Sequence, residues 1–189
     1  KNEPLLESNV EEYEPLAGMV DGMLFLARVD HAQVALHKKS LETGRELQRI
    51  ADYFEGIAEE AGVRLTVEAN GPVTADATLF QRAVNNLVAN AIRHTPKGQL
   101  IRLVASDRGQ ATEIAVMNPG RPIDPAHIPK LFDRFYRADQ ARSDSASSAG
   151  LGLAIVHSIM ALHGGRAEVK SADGVTTFRL LFPKVSGSL

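Results

Sequence analysis

The segment from residue 76 to residue 94 constrains the fold most, because its pattern predicts a long helix that is apolar on one side only. Asp76 is placed to cap the first turn of this helix. The apolar side follows three- and four-residue spacing and consists of Phe80, Val84, Leu87, Val88 and Ala91. A helix with a single apolar side must cover another apolar surface, so this segment predicts a layered fold.

Helix-like and strand-like segments alternate on both sides of this helix. We predict helices at 41–61 and 150–163 and strands at 63–68, 100–106 and 112–117, with two further strands flanking 173–174. Residues 70–72 are predicted to form a turn, and the signals at 107–109 and 173–174 are typical of hairpins. Residues 118–149 are predicted to be mostly irregular. This mixture indicates an α+β sandwich, with helices over one face of a single sheet.

The first part of the chain has a different pattern. Residues 5–29 are predicted to form a helix with two adjacent apolar stripes, and a lone helix cannot leave so wide an apolar face in water. The stripes consist of Val10, Tyr13, Ala17, Val20, Leu24 and Ala27, and of Leu16, Met19, Met23 and Leu26. Pro15 is expected to kink this helix or to mark its true start. The periodicity is lost over 30–41, so we divide the chain into residues 1–33, residues 34–184 and a loose tail at 185–189.

Composition excludes several classes of protein. The 189 residues contain 21 Lys and Arg against 23 Asp and Glu, a net charge of −2, so nucleic acid is not an expected partner. The absence of cysteine excludes a disulfide scaffold, a cysteine-based zinc site and a thiol nucleophile. The longest apolar run, at 23–27, is too short to span a bilayer, and no signal peptide is visible. Because the first residue is Lys1, we expect the chain to be a fragment of a longer protein.

The side of the 76–94 helix opposite its apolar face bears a coherent polar stripe. The stripe consists of Arg82, Asn86, Asn90, Arg93 and His94. Carboxamide oxygens are hard ligands that suit Mg²⁺, which keeps several waters and takes few protein ligands. Arginine and histidine pair with phosphate oxygens. On the pattern alone, a solvated helix face is the more common explanation.

Two glycine-containing motifs are candidates for contact with a ligand. Gly150 and Gly152 open the predicted helix at 150–163 and would let an anion approach the free N–H groups there. Such glycines are often only turn or packing devices. The second motif, Asn118-Pro-Gly120, lies at the end of a predicted strand.

An aromatic and basic segment, residues 131–137, precedes a run of small residues at 143–149. We predict that Phe132 and Phe135 are core anchors beneath a loop. The arginines before or within the small-residue run are Arg134, Arg137 and Arg142. We expect residues 138–149 to form a mobile lid.

The order of these motifs resembles that of the catalytic ATP-binding domain of sensor histidine kinases, over about residues 41–183. Four segments are similar in sequence to the heavy-metal sensor kinases for copper, silver or zinc, namely 23–28 (MLFLAR), 118–120 (NPG), 131–139 (LFDRFYRAD) and 161–165 (ALHGG). The resemblance implies the Bergerat ATP-binding fold, a two-layer α/β sandwich whose mixed sheet has helices on one face. It also implies that residues 1–30 resemble the second helix of a dimerisation hairpin.

The resemblance further implies roles in binding ATP and Mg²⁺. Asn90 would be the principal Mg²⁺ ligand, with Asn86 beside it. The residues expected to contact the phosphates are Arg93 and His94 on the helix, Gly150 and Gly152 around them, and Arg137 and Arg142 from the lid. His157 and His163 match no catalytic position of the family.

At the other end of the implied site, the sequence departs from the family pattern. Asn118 stands where the family usually has an aspartate that accepts a hydrogen bond from the adenine amino group, and Gly120 would keep the backbone close to the base. Pro122 replaces a glycine, and Ser148 stands where the first glycine of three is usual. We therefore expect weak nucleotide binding, or binding that depends on partner contacts, and a nucleotide-free regulatory module remains an alternative.

ATPases of the same fold are a further alternative. They place a glutamate four residues before the Mg²⁺-binding asparagine, where it activates a water or a hydroxyl. This chain has Asn86 there, and an amide cannot take the proton. The residue favours a kinase whose acceptor is an imidazole.

The resemblance also indicates which parts of a kinase this chain lacks. None of its six histidines lies in a phosphoacceptor box, so the acceptor helix is expected upstream and the fragment should not phosphorylate itself. The implied partners are that missing helix, a second copy in a homodimer and a response regulator. The implied location is the cytoplasmic part of an inner-membrane protein.

Overall fold

The structure is a computed structural model that describes residues 3–138 and 150–184, with side chains of the first helix from residue 16 onward. Its elements are α1 (Glu3–Asp30), β1 (Lys38–Glu42), α2 (Thr43–Ala61), β2 (Arg64–Ala69), β3 (Pro72–Asp76), α3 (Ala77–His94), β4 (Leu100–Asp107), β5 (Ala111–Pro119), a 3₁₀ turn (Ile128–Lys130), α4 (Gly152–Leu162), β6 (Arg166–Ala172) and β7 (Val175–Pro183). The predicted tail and most of the predicted lid, including Arg142, lie outside the described residues.

Five strands form one mixed sheet in the order β2–β4–β5–β7–β6. β2 runs parallel to β4, and the other neighbouring strands are antiparallel. Both predicted hairpins are present, one between β4 and β5 and the other between β6 and β7. β1 and β3 form a separate two-stranded antiparallel ribbon. The predicted α+β class and the mixed sheet are confirmed.

The core lies between the sheet and helices α2, α3 and α4. Sheet side chains that point toward the helices, such as Leu103, Val116 and Leu180, are fully buried together with the apolar side of α3. The other face of the sheet bears ion pairs, for example Arg102 Nη2 to Glu68 Oε2 at 2.8 Å. Among residues 3–138 and 150–184, helices therefore cover one face only, as predicted.

The start of α3 is fixed by its predicted cap. Asp76 Oδ1 accepts hydrogen bonds from the N–H groups of Thr78 and Leu79, both at 3.1 Å. Two otherwise unpaired donors of the first turn are thereby satisfied. The cap sets the register of the polar stripe farther along α3.

The ribbon of β1 and β3 corrects the sequence prediction. The helix predicted from residue 41 begins at Thr43, because Leu41 belongs to β1 and pairs with Val73. The turn predicted at 70–72 ends earlier, since Pro72 already belongs to β3. Four of the five β1 residues are exposed, so the strand has no alternating pattern that sequence analysis could detect.

Helix α1 runs without interruption from Glu3 to Asp30, so Pro15 does not mark its start. Its inner side packs on α4, where a Cβ on Gly22 would lie 3.2 Å from Ile155 Cδ1. Phe25 and Leu26 are buried there. Of the predicted stripes, Leu16, Met19, Val20, Met23 and Leu24 remain exposed, and the side chains of Val10 and Tyr13 are outside the described part of the helix. No helix in the described part of the chain is long and apolar enough to cross a membrane.

Candidate functional site

The middle of α3 meets the start of α4 through one asparagine and one glycine. Asn86 Nδ2 donates to the carbonyl oxygen of Arg82 at 2.9 Å, which fixes the amide. A Cβ on Gly152 would lie only 3.1 Å from Asn86 Oδ1. The lack of a side chain at Gly152 therefore permits the close approach of two residues that the sequence predicted in one site.

The start of α4 has free donors. Its N-cap residue, Leu151, makes no side-chain hydrogen bond to the first turn, and no side chain in the described residues accepts from the N–H groups there. The helix begins at Gly152 and not at Gly150 as predicted, because Gly150 adopts φ of 71°. A Cβ on Gly150 would lie 2.8 Å from the backbone of Phe135. An uncapped helix N-terminus next to an amide suits an anion.

The last turns of α3 bring amide and cationic groups together. Asn90, one turn beyond Asn86, is half-buried, and no hydrogen bond within the described part of the chain engages its amide. Arg93 stays exposed, yet its pKa is lowered by partial loss of its water shell and by the positive charge of Arg137. Two like charges close together favour a negatively charged ligand between them.

The end of β5 packs beneath the end of α3. Asn118 is 3% exposed, and its Nδ2 donates to the carbonyl oxygen of Pro119 over 3.4 Å. A Cβ on Gly120 would lie 2.8 Å from the carbonyl oxygen of His94. The glycine that was predicted to keep the backbone close to a base thus also permits close contact with α3.

The segment 131–137 lies between α1 and the glycines. Phe132 packs edge-on against Phe178, with ring centroids 6.4 Å apart, as predicted for a core anchor. The same prediction is wrong for Phe135, which is 51% exposed and has φ of 63°. Its backbone turns it outward, and its N–H donates to the carbonyl oxygen of Gly150 at 3.0 Å. Arg134 makes two hydrogen bonds to Asp30 at the end of α1, at 2.9 and 2.7 Å.

Three segments thus surround the second half of α3: the start of α4, the segment 131–137 and the turn at 118–120. The predicted site residues in the described ranges are gathered there, namely Asn86, Asn90, Arg93, His94, Asn118, Gly120, Arg137, Gly150 and Gly152. A groove of about 460 Å³ on the other flank of α3, lined by Tyr53 of α2 and Gly18 of α1, includes only Asn86 of this set.

The opposite end of the α3–α4 pair contains a buried histidine whose role the sequence did not reveal. His163 is 2% exposed, and its Nε2 accepts from the N–H of Asp76 at 3.0 Å. Its Nδ1 lies 2.8 Å from the carbonyl oxygen of Ile159 and donates to it. Lys38 Nζ donates to the backbone carbonyl of His163 at 3.1 Å. A histidine directly after an apolar helix and before two glycines was the only sequence signal for this network.

A buried threonine next to Asn118 was also missed. Thr176 lies opposite Asn118 in the β5–β7 register and is 6% exposed. Its hydroxyl lies 3.2 Å from Ser171 Oγ, which accepts from the N–H of Ile123. Its position in a hairpin strand was predictable, but its neighbour across the sheet was not.

The donor set of the site is made of amides and cations. The described ranges contain no group of three or more His, Asp or Glu side chains that could hold a metal ion. Any metal here would depend on amide oxygens together with oxygens of a bound ligand, a combination that suits Mg²⁺.

The comparisons with known proteins agree with this fold. The family model described as histidine kinase-, DNA gyrase B- and HSP90-like ATPase matches residues 75–186. Sensor protein IrlS of Burkholderia pseudomallei is 46% identical over 180 residues, which are 95% of this chain and 39% of the relative. Sensor histidine kinase CusS of Escherichia coli K12 is 41% identical over 182 residues, which are 96% of this chain and 38% of the relative. The fold of Acinetobacter baumannii histidine kinase AdeS is similar, with a TM-score of 0.83 at 21% identity over 97% of this chain and 85% of that structure.

The chain belongs to the histidine kinase-, DNA gyrase B- and HSP90-like ATPase family. Within that family it is a catalytic ATP-binding domain of the sensor histidine kinase type. It spans 39% and 38% of the length of the two curated relatives.

Proposed function

We propose that this chain binds Mg-ATP around the second half of α3 and transfers the γ-phosphate to a histidine outside the chain. The observation that supports this most directly is the contact between Asn86 and Gly152 beside the uncapped start of α4. It combines backbone donors for phosphate with an amide oxygen for a hard cation. The positive charges of the neighbouring arginines complement the negative charge of a triphosphate.

Mg²⁺ fits the amide donors that α3 presents. Asn90, whose amide is not engaged by the described residues, is the principal ligand in this proposal, with Asn86 beside it. When bound, the ion would offset negative charge on the phosphates.

The residues of this chain act mainly by placing the phosphates and balancing their charge. The N–H groups at the start of α4 and the side chains of Arg93 and His94 would bind phosphate oxygens. Arg137 would reach the terminal phosphate, together with Arg142, which lies outside the described residues. Phosphoryl transfer needs positioning and electrostatic stabilisation more than covalent work by the protein.

The acceptor is proposed to be an imidazole and not water. The position that would activate water for hydrolysis is Asn86, whose Nδ2 donates to a backbone carbonyl and which cannot take a proton. Of the chain's own histidines, His163 is buried and bonded at both ring nitrogens. Because none of the six histidines lies in a phosphoacceptor box, an acceptor on a separate helix is the better match.

For the whole protein, we propose a two-component sensor kinase that responds to metal ions and passes the phosphate to a response regulator. The exposed stripe of α1, which includes Leu16, Val20 and Leu24, supports packing against the phosphoacceptor helix within a homodimer. We propose that this chain is the cytoplasmic part of a membrane-attached protein.

A nucleotide-free regulatory module is the second candidate, and the replacement of an aspartate by Asn118 favours it. Calorimetric titration with Mg²⁺ and a non-hydrolysable ATP analogue separates the two. We expect Mg²⁺-dependent binding that Asn90→Ala abolishes and that Asn70→Ala, a change in an exposed turn, leaves intact. Absence of binding to this chain and to one extended by its phosphoacceptor helix would leave the regulatory module as the function.

A further inference from the structure

The end of β5, close to the last residue of α3, bears a neutral amide with both kinds of hydrogen-bonding group. Asn118 is 3% exposed and donates one Nδ2 hydrogen to the carbonyl oxygen of Pro119, over a long 3.4 Å. The second Nδ2 hydrogen and Oδ1 have no hydrogen-bond partner among the described residues. Two side-chain atoms in the described residues are fully buried and lack a hydrogen-bond partner, namely Thr66 Oγ1 and Asn85 Oδ1. Asn118 Oδ1 also lacks a partner but is not one of these two atoms, so it keeps some contact with solvent.

The polar neighbours of Asn118 across the sheet are also neutral. Thr176 is its register partner on β7, and the Thr176 hydroxyl lies 3.2 Å from Ser171 Oγ. Hydroxyl groups donate or accept by rotating the hydrogen. Asn118, Thr176 and Ser171 include no carboxylate, so these three side chains do not restrict a ligand to groups that donate hydrogen bonds.

We propose that Asn118 makes the site permissive for both 6-amino and 6-oxo purine nucleoside triphosphates, so that GTP and ITP bind alongside ATP. The inference rests on the proposed function, since it assigns the base end of the same site. A carboxylate in this place only accepts hydrogen bonds, so it matches the 6-amino group of adenine and repels the 6-oxo group of guanine or hypoxanthine. The amide accepts through Oδ1 or donates through Nδ2, so it pairs with either group.

The hydrogen bond from Asn118 to Pro119 leaves the amide able to pair with either a 6-amino or a 6-oxo group. The single bond to Pro119 engages one of the two Nδ2 hydrogens, so the donor and the acceptor remain in one orientation of the amide. At 3.4 Å the bond is at the long limit for N–H···O, so small tilts of the amide cost little. Selectivity at this position therefore depends on the chemistry of residue 118 more than on a rigid fit.

The test compares the affinities of the whole chain for ATP, ITP and GTP with Mg²⁺, by calorimetry or by competition with a labelled ATP analogue. Hypoxanthine lacks the 2-amino group of guanine, so ITP isolates recognition at C6. We expect the three affinities of the unaltered chain to lie within about tenfold of one another. Asn118→Asp should raise the affinity for ATP and lower that for ITP and GTP by about tenfold or more, since hydrogen bonds to charged groups are about twice as strong and mismatched ones are costly. The control Asn70→Asp places the same charge in an exposed turn and should leave all ratios unchanged.

The possible results distinguish failure of this inference from failure of the proposed function. If ATP binds and ITP binds more than about a hundredfold more weakly to the unaltered chain, the inference is wrong and the proposed function stands. If the ratios do not change in Asn118→Asp, the determinant lies elsewhere and the inference is again overturned. If no nucleotide binds to this chain or to one extended by its phosphoacceptor helix, the proposed function itself fails. Because the ITP measurement needs no variant, poor folding of Asn118→Asp does not remove the test.

Discussion

The antiparallel helices α3 and α4 are joined differently at their two ends. At one end, His163 of the α4 C-terminus accepts from the N–H of Asp76, which in turn caps α3. At the other end, Asn86 and Gly152 approach closely, but the N-cap residue of α4 makes no side-chain cap and the side-chain amide of Asn90 has no hydrogen bond to the described residues. We call the first end closed, because Asp76 and His163 are hydrogen-bonded within the chain, and the second end open.

The difference separates stability from binding. A buried polar group contributes to folding only when its partners are present, and the closed end supplies them within the chain. At the open end, the side-chain amide of Asn90 is not engaged by the described residues, and the proposed nucleotide would bind there. Changes at the closed end should therefore alter the free energy of unfolding, and changes at the open end should alter nucleotide affinity.

The largest effect is expected from adding one methyl group at each end. A Cβ on Gly165, near the closed end, would overlap the backbone carbonyl oxygen of Leu181, which cannot move away because it belongs to the sheet. Gly165→Ala should lower the free energy of unfolding by about 3 kcal/mol or more. Gly152→Ala, whose Cβ would meet a side-chain atom of Asn86 at 3.1 Å, should cost under about 1 kcal/mol but weaken nucleotide binding. Denaturant unfolding and calorimetry measure the two quantities.

Gly56→Ala is the matched control, because a Cβ there has open space. It should stabilise the chain by about 0.5–1 kcal/mol and leave nucleotide affinity unchanged. Equal losses of stability in the Gly165 and Gly152 variants would contradict the distinction between the two ends.

The next largest effect is expected from His163→Phe. The variant leaves the buried N–H of Asp76 without an acceptor and the Ile159 carbonyl without its ring donor. The free energy of unfolding should fall by about 2–3 kcal/mol. His31→Phe, at an exposed turn, should change it by less than about 0.5 kcal/mol. A similar small change in both variants would show that the closed end does not depend on this histidine.

A pH dependence of stability should follow from the same residue. Burial lowers the pKa of His163 in the folded state, the charge of Lys38 lowers it further, and the Ile159 carbonyl and Asp76 act in the opposite direction. The folded state therefore favours the neutral ring. Its contribution to stability should be full above the unfolded pKa of about 6.5 and should be lost as the pH falls below that value toward the folded pKa. Unfolding curves from mildly alkaline to mildly acidic pH should show this loss in the unaltered chain, and His163→Phe should lack it.

The smallest effect on stability is expected at the cation pair of the open end. Because the charge of Arg137 lowers the pKa of Arg93, removing it relieves a repulsion in the absence of a ligand. Arg137→Gln should change the free energy of unfolding by no more than about 0.5 kcal/mol. The same variant should bind an ATP analogue about tenfold more weakly, since a charge-assisted contact to phosphate is lost. Arg45→Gln, on an exposed part of α2, should change neither quantity.

Much of the fold and most of the candidate site follow from local sequence pattern. The 3.6-residue period over 77–94 fixed which side of α3 is buried, and Asp76 marked its start. The same period placed Asn86 and Asn90 one turn apart on the polar side. Turn residues at 173–174 marked a hairpin that is present. These features depend on neighbours within a few residues along the chain.

Other features depend on residues far apart in the chain. β1 pairs with β3, which lies 30 to 38 residues farther along the chain, and the exposed side chains of β1 form no readable pattern. The outward turn of Phe135 depends on a positive φ beside Gly150. Such pairings and backbone conformations become favourable only when distant segments have already packed together.

The sequence by itself determined which residues were candidates for binding a nucleotide, because the order of its motifs resembles that of a known family and its amides, cations and glycines lie at helical and turn spacing. Only the tertiary structure decided which end of the α3–α4 pair would be open. His163 and Asp76 are 87 residues apart in the chain, as the hydrogen bond between them records. Their contact closes one end because buried polar groups must be paired, whereas Asn86 and Gly152 meet at the other end without satisfying the groups around them.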